Sequence, residues 1–563
     1  MTTKIQNQPL VNLLIDEEHH LRLKKLLPSL PDIILNERQI CDFELLSTGA
    51  FSPLTGFMTQ VAYATVLDRL TLPDGDIWPI PICLDIDDTL ARTLEVGQSA
   101  ALRDAEGFPL GVLAIEDLWP VDPEREAKAV YGTCDPAHPG VRQLMNKGGR
   151  FYVGGSIQAM NLPIHSDFRQ IRMTPAEVRE KFSKLGWKRI VGFQTRQPVH
   201  RPQFEMTIQA MKKARANLLL LPIAGIPKPG DFDHYTRMRC YQKVAGHYPP
   251  DSHLMNLLPL SMRMAGARDA VLHLIIGKNF GCTHFVIGHN HSIHTPEGAG
   301  AWPPSTELIE NAGKAIGIAP VFFEEMVYLP FEDEFCLASS VNGSQEYISF
   351  SNEDIRQRIW KGKNVPSWAS FPEVIQELNQ SYPPPSKQGF TVFLTGLSGA
   401  GKSTIAKVLY ARVMEMGTRP VSLLDGDIVR RNLSSELNFS REHRDINVKR
   451  IGFVASEITK NRGIAICAPI APYEKTRLEI RQSIEAHGGF FEVHVATPIT
   501  ICEKRDRKGM YAKAKAGLIK DFTGVDDPYE IPENPEISID TTNLTPEEAV
   551  QEILLLLSEK GFV

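Results

Sequence analysis

A multidomain α/β protein is the fold class that the sequence predicts, and three observations support it. The chain has 563 residues, several times the usual length of a single domain. Strand-like apolar runs alternate with helix-like stretches along much of the chain, a pattern typical of parallel sheets with crossover helices. The segment SYPPPSKQG at 381–389 predicts a linker, because three consecutive prolines neither continue a helix nor join a sheet interior.

The segments on the two sides of this linker differ in pattern. Residues 1–165 predict a β-rich domain, because short apolar runs such as IWPIPICLDI are separated by turn clusters. Residues 166–325 alternate strand-like runs, such as RIVGFQT and THFVIGH, with helical stretches such as TPAEVREKFSKLG, and predict a parallel α/β domain. Residues 326–380 predict a small subdomain that ends in a helix. Beyond the linker, residues 390–563 have the usual size of one further α/β domain.

Composition and charge narrow the classes of function. With 42% hydrophobic and 23% charged residues, the chain is neither wholly disordered nor collagen-like nor a coiled coil. A net charge of -6 gives no overall positive surface for nucleic acid or an anionic membrane. The eight cysteines form no C-x-x-C pair, and no stretch of about 18 apolar residues occurs. We expect a cytoplasmic protein with small-molecule partners, no nucleic-acid partner and no membrane association.

The sequence GLSGAGKS at 396–403 matches the phosphate-binding pattern G-x-x-x-x-G-K-[ST]. It follows the apolar strand TVFLT and precedes the helix-like run TIAKVLYARVMEMG, which is the context that supports the match. Glycines let backbone amides approach phosphate oxygens at a helix N-terminus. Lys402 is predicted to reach the β- and γ-phosphates, and Ser403 to bind Mg²⁺. The predicted triphosphate-binding residues are Gly396, Leu397, Ser398, Gly399, Ala400, Gly401, Lys402, Ser403 and Thr404.

Two acidic residues follow the next predicted strand, RPVSLL, in the sequence DGD. Asp425 and Asp427 are thus predicted at the carboxyl end of a parallel strand, where α/β sheets bind ligands. One of them suits a water-mediated Mg²⁺ site and the other suits proton abstraction from a hydroxyl nucleophile. An ordinary acidic turn is the alternative. The segment that follows is rich in arginines, which suit phosphate and sulfate, although a solvated helix face accounts for about half of them.

Six motifs in the C-terminal segment occur together in one family. In order, they are GLSGAGKST, LLDGDIVRRNL, HRDINVKRIGFVASEI, APIAPYEKTR, CEKRDRKGMYAKAKAG and IKDFTGVDDPYEIPENPEI. Over nearly all of 390–563 the chain therefore resembles adenylyl-sulfate kinases. The resemblance implies a P-loop kinase fold that binds ATP with Mg²⁺. It also implies transfer of the γ-phosphate to the 3'-hydroxyl of adenosine 5'-phosphosulfate (APS), which gives the 3'-phospho derivative, PAPS.

The resemblance also implies roles for single residues. Lys402, Asp425 and Asp427 are the expected catalytic residues, with Asp427 as the base and Asp425 supporting Mg²⁺ through water together with Ser403. The two aspartate roles are open to exchange. Ala471 stands where many family members have serine, so we expect direct transfer without a phosphoserine. The expected APS-binding residues are Arg430, Phe439, Arg444, Asn447, Ile470, Lys508, Lys513 and Phe522.

Residues 1–380 are similar to ATP sulfurylases, which make APS and pyrophosphate from ATP and sulfate. The matching motifs are GAFSPLTGFM, GFQTRQPVHRPQFEMT, PKPGDFDHYTRMRCY, LPLSMRMAGARDAVLHLIIGKNFGCTHFVIGH and VPSWASFPEV. The resemblance implies a β-rich, PUA-like N-terminal domain and a Rossmann-like domain of the nucleotidylyltransferase type. Both families imply a homo-oligomer.

The sulfurylase-like motifs depart from the family pattern at several positions. The pattern Q-T-R-N-P-x-H-R-x-H reads QTRQPVHRPQ here, so Gln194, Arg196 and His200 remain, whereas Gln203 replaces the second histidine. A glutamine donates a hydrogen bond but never carries a positive charge. The pattern G-R-D-H-A-G-P-G reads GHNHSIHT, so that His289 replaces an arginine while His291 remains. Further departures are Gln197, Leu221, Asn290, Ser292, Ile293 and His294.

These departures lead to a functional hypothesis with three alternatives. We expect an APS kinase whose sulfurylase-like region keeps its fold and has absent or very weak adenylyl-transfer activity. The first alternative is a bifunctional enzyme with an altered but working sulfurylase site, which makes PAPS from sulfate and ATP. A second is an N-terminal region that serves only binding and oligomerisation. The third is a kinase-like domain that only senses APS or PAPS, which the intact P-loop and DGD sequence disfavour.

Overall fold

The computed structural model describes residues 9–146, 149–225, 231–288, 291, 306–343, 345–438, 440–506, 509–519 and 522–563. The chain divides into two units, each with its own sheets and core. Unit 1 comprises Met1–Asn352 and Pro366–Glu377, and unit 2 comprises Glu353–Val365 and Leu378–Val563. Helices α12 (Asn352–Trp360) and α13 (Pro372–Ser381) contain residues of both units.

A mixed sheet of six strands forms the first part of unit 1 and confirms the predicted β-rich N-terminal domain. Its main order is β1-β4-β5-β6-β2, and β3 pairs with β6. Only the β1–β4 pair is parallel within the described part of this sheet. The strands are β1 (Asp32–Ile34), β2 (Gly56–Phe57), β3 (Leu84–Ile86), β4 (Ser99–Arg103), β5 (Pro109–Pro120) and β6 (Phe151–Ala159). The helices are α1 (Glu17–Leu26), α2 (Glu37–Ser47), α3 (Gln60–Arg69), α4 (Asp88–Ala91), α5 (Pro123–Tyr131) and α6 (Pro139–Asn146).

A parallel sheet of five strands forms the second part of unit 1, as the strand and helix alternation predicts. Its order is β11-β10-β7-β8-β9, and a separate antiparallel pair, β12–β13, follows. The strands are β7 (Ile190–Thr195), β8 (Asn217–Pro222), β9 (His253–Met255), β10 (His284–Gly288), β11 (Ala319–Phe323), β12 (Met326–Leu329) and β13 (Glu334–Leu337). The helices are α7 (Pro175–Lys184), α8 (Arg201–Ala214), α9 (His234–Ala245), α10 (Ala267–Asn279) and α11 (Thr306–Ile316).

The interior of unit 1 holds one continuous apolar core that reaches both of its large sheets. It includes Phe43 and Trp78 beside the first sheet and Leu219 and Phe285 in the second, all fully buried. Burial of a large apolar side chain stabilises a fold by about 1.5–3 kcal/mol. A buried ion pair adds a specific link, because Arg263 donates to both oxygens of Asp42 at 2.6 Å. The loop after β9 is thereby joined to α2.

Unit 2 is built on five parallel strands in the order β15-β16-β14-β17-β18. Separate apolar clusters cover its two faces, which gives three layers with the strand before the phosphate loop in the middle of the sheet. The strands are β14 (Phe390–Thr395), β15 (Val421–Asp425), β16 (Ile464–Ala468), β17 (Gly489–Val495) and β18 (Ile537–Ile539). The helices are α14 (Lys402–Met416), α15 (Gly426–Leu433), α16 (Arg441–Lys460), α17 (Glu474–Glu485), α18 (Ile499–Arg505), α19 (Met510–Lys515) and α20 (Pro546–Glu559).

Among the described residues, none of the helices combines the length and the apolar character that crossing a bilayer requires.

Candidate active sites

The predicted phosphate loop joins the central strand β14 to the first residue of α14. Gly399 and Gly401 have backbone φ angles of +77° and +106°, a region that side chains with a Cβ rarely adopt. A Cβ on Gly399 would lie 2.9 Å from the Cys502 carbonyl oxygen, so the neighbouring backbone also requires glycine there. The glycines of the motif are thus needed for the shape of the loop.

The carbonyl groups of the phosphate loop accept hydrogen bonds from other parts of the chain. The ammonium group of Lys402 donates to the Gly396 and Leu397 carbonyls at 2.8 Å each. The Tyr511 hydroxyl donates to the Ser398 carbonyl at 2.9 Å. The Ala400 carbonyl accepts from the hydroxyls of Thr497 and Thr541, at 3.1 Å and 2.9 Å. Held in this way, the loop has a fixed shape at the N-terminus of α14, and a helix N-terminus suits an anion.

Three of these supporting side chains were missed by sequence reasoning. Thr497, Tyr511 and Thr541 lie beyond the phosphate motif by roughly 100 residues or more, after β17, in α19 and after β18. Isolated threonines and tyrosines carry no motif signal, and only the parallel strand order places them beside the loop.

The acidic pair lies at the carboxyl end of β15, as predicted. Asp425 is buried and caps α15, because its Oδ1 accepts a hydrogen bond from the Asp427 amide at 3.0 Å. Asp427 is in the first turn of α15 and is exposed. Burial lowers the pKa of Arg430 on the same helix, while the charge of Asp427 raises it. The two aspartates therefore differ in environment: Asp425 is a buried helix cap, and Asp427 is exposed to solvent.

The side chains at the expected Mg²⁺ site have the right chemistry for that ion. Ser403 is exposed in the first turn of α14, and Asp425 offers a carboxylate at the end of a parallel strand two positions away in the sheet. Hydroxyl, carboxylate and water oxygens are the ligands that Mg²⁺ prefers beside phosphates. Since the helix cap uses Oδ1 of Asp425, Oδ2 is the oxygen suited to a metal-bound water.

Two of the predicted APS-binding residues lie three positions apart on α16 and are buried. Arg444 donates through Nη1 to the Thr523 hydroxyl at 2.6 Å, and its Nη2 lies 2.9 Å from Asp527 Oδ2. Its Nε atom and the Asn447 Oδ1 atom are buried without a hydrogen-bond partner among the described residues. Buried polar atoms are nearly always paired in proteins, so these two atoms suit a ligand.

The remaining described APS candidates surround the same end of the sheet. Arg430 donates to the Leu437 and Asn438 carbonyls at 3.2 Å and 2.9 Å. The Ile470 carbonyl accepts from the Gly396 amide at 3.3 Å, which joins the loop after β16 to the phosphate loop. Phe522 packs edge-on against Tyr511 with ring centroids 5.0 Å apart, and Lys513 is exposed on α19. Phe439 and Lys508 lie outside the described residues.

The sulfurylase-like site of unit 1 lies at the carboxyl end of β7. Gln194 is nearly buried, and its side-chain amide lies 3.9 Å from the Met262 sulfur. The guanidinium of Arg196 contacts the Met264 sulfur at 3.3 Å and pairs with Asp231 at 3.3 Å. An anion at this site would therefore compete with the Asp231 carboxylate for Arg196. This competing acid was not among the residues singled out from the sequence.

Backbone carbonyls of the same loop are held by two buried side chains of α9. Arg237 donates to the Arg196 carbonyl at 3.0 Å, and Tyr241 donates to the Gln197 carbonyl at 2.8 Å. The Gln197 side chain, which departs from the family asparagine, donates to Asp231 at 2.6 Å. The loop shape is thus fixed by α9 while its side chains bind an internal carboxylate.

The two positions of the family's paired histidines have separate roles in the structure. His200 precedes α8, is 1% exposed, and its Nδ1 lies 2.7 Å from the Ser370 hydroxyl oxygen. Burial lowers its pKa to about 3, so the ring is neutral near pH 7. Gln203 turns back to the start of α8, where its Oε1 accepts from the His200 amide at 3.1 Å. The residue in place of the second histidine thus acts as a helix cap.

The third part of this site follows β10. His291 Nε2 lies 2.7 Å from Nδ1 of His273, a buried residue of α10 that was not singled out from the sequence. Burial lowers the pKa of both histidines to about 3. Leu221, which departs from a family histidine, is fully buried in β8. His289, Asn290, Ser292, Ile293 and His294 lie outside the described residues.

Comparisons with known proteins identify three successive domains in the chain. Family models match the PUA-like domain over residues 3–162, ATP-sulfurylase over 169–381 and adenylylsulphate kinase over 388–540. Together they confirm both resemblances and the predicted fold class.

Relatives match over almost the whole length of the chain. A sulfate adenylyltransferase of Aspergillus oryzae is 45% identical over 554 residues, which is 97% of this chain and 96% of that protein. One of Mycosarcoma maydis is 44% identical over 96% of both chains. A solved structure, described as a hexameric APS kinase from Thiobacillus denitrificans, is 41% identical with a TM-score of 0.82, covering 99% of this chain and 98% of that one. The chain therefore belongs to the family of sulfate adenylyltransferases in which PUA-like, ATP-sulfurylase and adenylylsulphate kinase domains are joined.

Proposed function

We propose that unit 2 is an APS kinase that transfers the γ-phosphate of ATP to the 3'-hydroxyl of APS. The observation that carries the proposal is the pairing of two complementary features. The carbonyls of the phosphate loop accept hydrogen bonds from side chains of unit 2. A neighbouring helix presents Arg444 Nε and Asn447 Oδ1, which have no hydrogen-bond partner among the described residues. The phosphate loop suits a triphosphate, and the two polar atoms of the helix suit the phosphosulfate group of APS and the atoms next to it.

In the proposed reaction a bond forms between the 3'-oxygen of APS and the γ-phosphorus, and the bond to the β-phosphate oxygen breaks. Asp427 accepts the proton of the 3'-hydroxyl, because it is the exposed member of the acidic pair. Lys402 stabilises charge on the β- and γ-phosphates. Bound with ATP, Mg²⁺ neutralises charge on the phosphate oxygens, and Ser403 and Asp425 are the residues that would hold it. Ala471 has no hydroxyl, so transfer to APS is direct.

Substitution of Lys402 tests this proposal. We expect Lys402→Ala to reduce PAPS formation by at least about 100-fold, as for loss of one transition-state stabilising group. The matched control is Lys407→Ala, which removes an exposed lysine from the same helix and should leave turnover unchanged. Near-normal turnover of Lys402→Ala would contradict the assigned role of the loop. Wild-type protein that binds APS without turnover would support an APS sensor instead.

We propose that adenylyl transfer to sulfate by unit 1 is absent or very weak. Gln203 is engaged as a helix cap, Arg196 is paired with Asp231, and His200 is neutral. The second candidate, a working sulfate adenylyltransferase in a bifunctional chain, is favoured by the names of relatives that match almost the whole chain. In that case the Asp231 pairing would open when sulfate binds.

Formation of ATP from APS and pyrophosphate distinguishes the two candidates. The assay uses the full Lys402→Ala chain, because its kinase no longer consumes APS. We expect no ATP above the level seen without protein. ATP formation that is lost again in the Lys402→Ala, Arg196→Ala double variant would establish the bifunctional enzyme. A fold check by circular dichroism accompanies both proteins.

The partners that we propose are ATP and APS, together with further copies of the chain. The homologous structure from Thiobacillus denitrificans is described as hexameric, and it covers 99% of this chain. Sedimentation of the full chain tests the homo-oligomer, and a monomer at micromolar concentration would contradict it.

A further inference from the structure

The turn at residues 522–527, FTGVDD, is held in a fixed shape by its own hydrogen bonds. The Gly524 amide donates to the Asp527 carbonyl at 2.7 Å, and the Val525 amide donates to the Phe522 carbonyl at 3.0 Å. Gly524 has a φ angle of +90°, which favours glycine. The Asp526 carboxylate accepts from the Phe522 amide. The side chains of this turn therefore have defined positions relative to one another.

Two side chains of the turn bind the same guanidinium on α16. The Thr523 hydroxyl accepts from Arg444 Nη1 at 2.6 Å, and the Asp527 carboxylate pairs with Arg444 Nη2 at 2.9 Å. The side chains of Arg444 and Asp527 are each 10% exposed, so the ion pair is shielded from water. A shielded ion pair with defined geometry fixes the orientation of a long side chain more strongly than an exposed one does.

A tyrosine from the loop after β16 completes this arrangement. The Tyr473 hydroxyl accepts from Arg444 Nη2 at 3.2 Å and donates to the Asp527 carboxylate at 3.1 Å. Burial raises the pKa of Tyr473 to about 12, so the hydroxyl keeps its proton. The ring also lies under the Arg441 guanidinium, 4.7 Å from the ring centre. Asp527, Tyr473 and Thr523 thus bind both terminal nitrogens of Arg444.

The Nε donor of Arg444 remains outside this arrangement. Its Nε atom is buried and has no hydrogen-bond partner among the described residues, and the same holds for Asn447 Oδ1 one helical turn later. An unpaired buried donor costs about 1–3 kcal/mol unless a ligand or water satisfies it. The arrangement therefore fixes the two terminal nitrogens and leaves the Nε edge for a ligand.

We propose that Asp527 is a positioning residue of the APS subsite, which, together with Tyr473, orients Arg444 for the phosphosulfate group. The inference rests on the proposed function and identifies a residue that the sequence motifs did not single out. It also connects two parts of the subsite, because Phe522, another expected APS-binding residue, belongs to the same turn as Asp527.

Kinetics of Asp527→Asn in the full chain test the proposal. We expect the KM for APS to rise about 10-fold, as for loss of one charge-assisted contact, while the KM for ATP changes less than about 2-fold. Asp527→Glu, which keeps the charge, should recover part of the APS affinity. Tyr473→Phe should raise the KM for APS by a smaller factor. Glu533→Gln, which removes an exposed carboxylate six residues away, is the matched control.

The outcomes separate this inference from the proposed function. An unchanged KM for APS in Asp527→Asn would show that Asp527 has no role in APS binding, and a lowered KM would show that Asp527 competes with APS for Arg444. Either result would overturn the inference. Equal rises in both KM values with a lowered Tm would show a merely structural role and also overturn it. If the wild-type chain shows no turnover, the kinase proposal fails. In that case, calorimetric titration of APS into the wild-type and Asp527→Asn proteins tests the inference. The inference is overturned if the wild type does not bind APS, or if the two proteins bind APS with equal affinity.

Discussion

At the scale of single residues, the substitutions in the sulfurylase-like site have structural partners of their own. Gln203 caps α8, and Gln197 donates to Asp231 at 2.6 Å. Leu221 is part of the apolar core of unit 1. These residues are therefore integrated into the fold of unit 1, which explains how the family fold persists while the pattern of charged ligands changes.

The cap formed by Gln203 gives a prediction for stability. Gln203→Ala should lower the free energy of unfolding of unit 1 by about 1 kcal/mol, because the His200 amide loses its acceptor. Gln209→Ala is the matched control on the same helix, and it should be neutral or slightly stabilising because alanine is the better helix former. Urea unfolding followed by tryptophan fluorescence measures both, since five of the six tryptophans belong to unit 1. Equal stability of the two variants would exclude a capping role.

At the scale of elements, the phosphate loop depends on strands and helices that follow it far along the chain. Its carbonyl partners come from the ends of β17 and β18 and from α19. The order β15-β16-β14-β17-β18 brings these ends to β14. The shape of the phosphate loop therefore depends on the whole carboxyl edge of the sheet as well as on the eight-residue motif.

The shape of this loop predicts the effect of an added methyl group. Gly399→Ala should destabilise unit 2 by about 1–3 kcal/mol and weaken ATP binding, because its φ is +77° and the Cys502 carbonyl is close. Gly426→Ala is the control for stability, since its nearest neighbour to a new Cβ is 3.7 Å away and its φ is not positive. Thermal unfolding and ATP titration measure the two effects. A Gly399→Ala protein of wild-type stability would show that the loop relaxes at no cost.

At the scale of the whole molecule, the two units differ in their buried titratable groups. Unit 1 contains His200, His273 and His291, for each of which burial lowers the pKa to about 3. Unit 2 has one described histidine of this kind, His494, whose pKa burial also lowers, and a largely buried network in which Arg477 and Arg481 bind Glu492. Neutral buried histidines oppose protonation, whereas burial raises the pKa of Glu492 despite its arginine partners. The units should therefore respond differently to acid.

The neutral histidines predict a loss of stability of unit 1 as the pH falls. Below pH 6.5 the unfolded chain binds protons that the folded rings do not bind, so stability decreases from pH 6.5 towards the folded pKa of about 3. At pH 5.5 each such histidine should cost about 1.4 kcal/mol relative to pH 7.5. His200→Gln should reduce this pH dependence, and His20→Gln, at a half-buried position of α1, is the control. The urea midpoints at pH 7.5 and pH 5.5 test this prediction. The same shift in midpoint between the two pH values for all three proteins would contradict it.

Much of the fold and part of each site follow from the sequence. Periodicity predicted a β-rich segment followed by a parallel α/β segment, because buried strands and amphipathic helices require those patterns. Short motifs also predicted the phosphate loop and the DGD pair, since phosphate binding needs neighbouring backbone amides within one short segment. The structure places both at the carboxyl edge of one parallel sheet.

The contacts between distant segments depend on the tertiary structure. The partner of His200 is 170 residues away at Ser370, and the partner of Arg444 is 79 residues away at Thr523. Asp231 and Asp527 lie within the quoted family motifs, but only packing places them against Arg196 and Arg444. The sequence by itself thus determined which segments carry reactive groups. Tertiary structure decided which donors are already bound and which remain for a ligand, because that depends on strand order and loop packing rather than on local pattern.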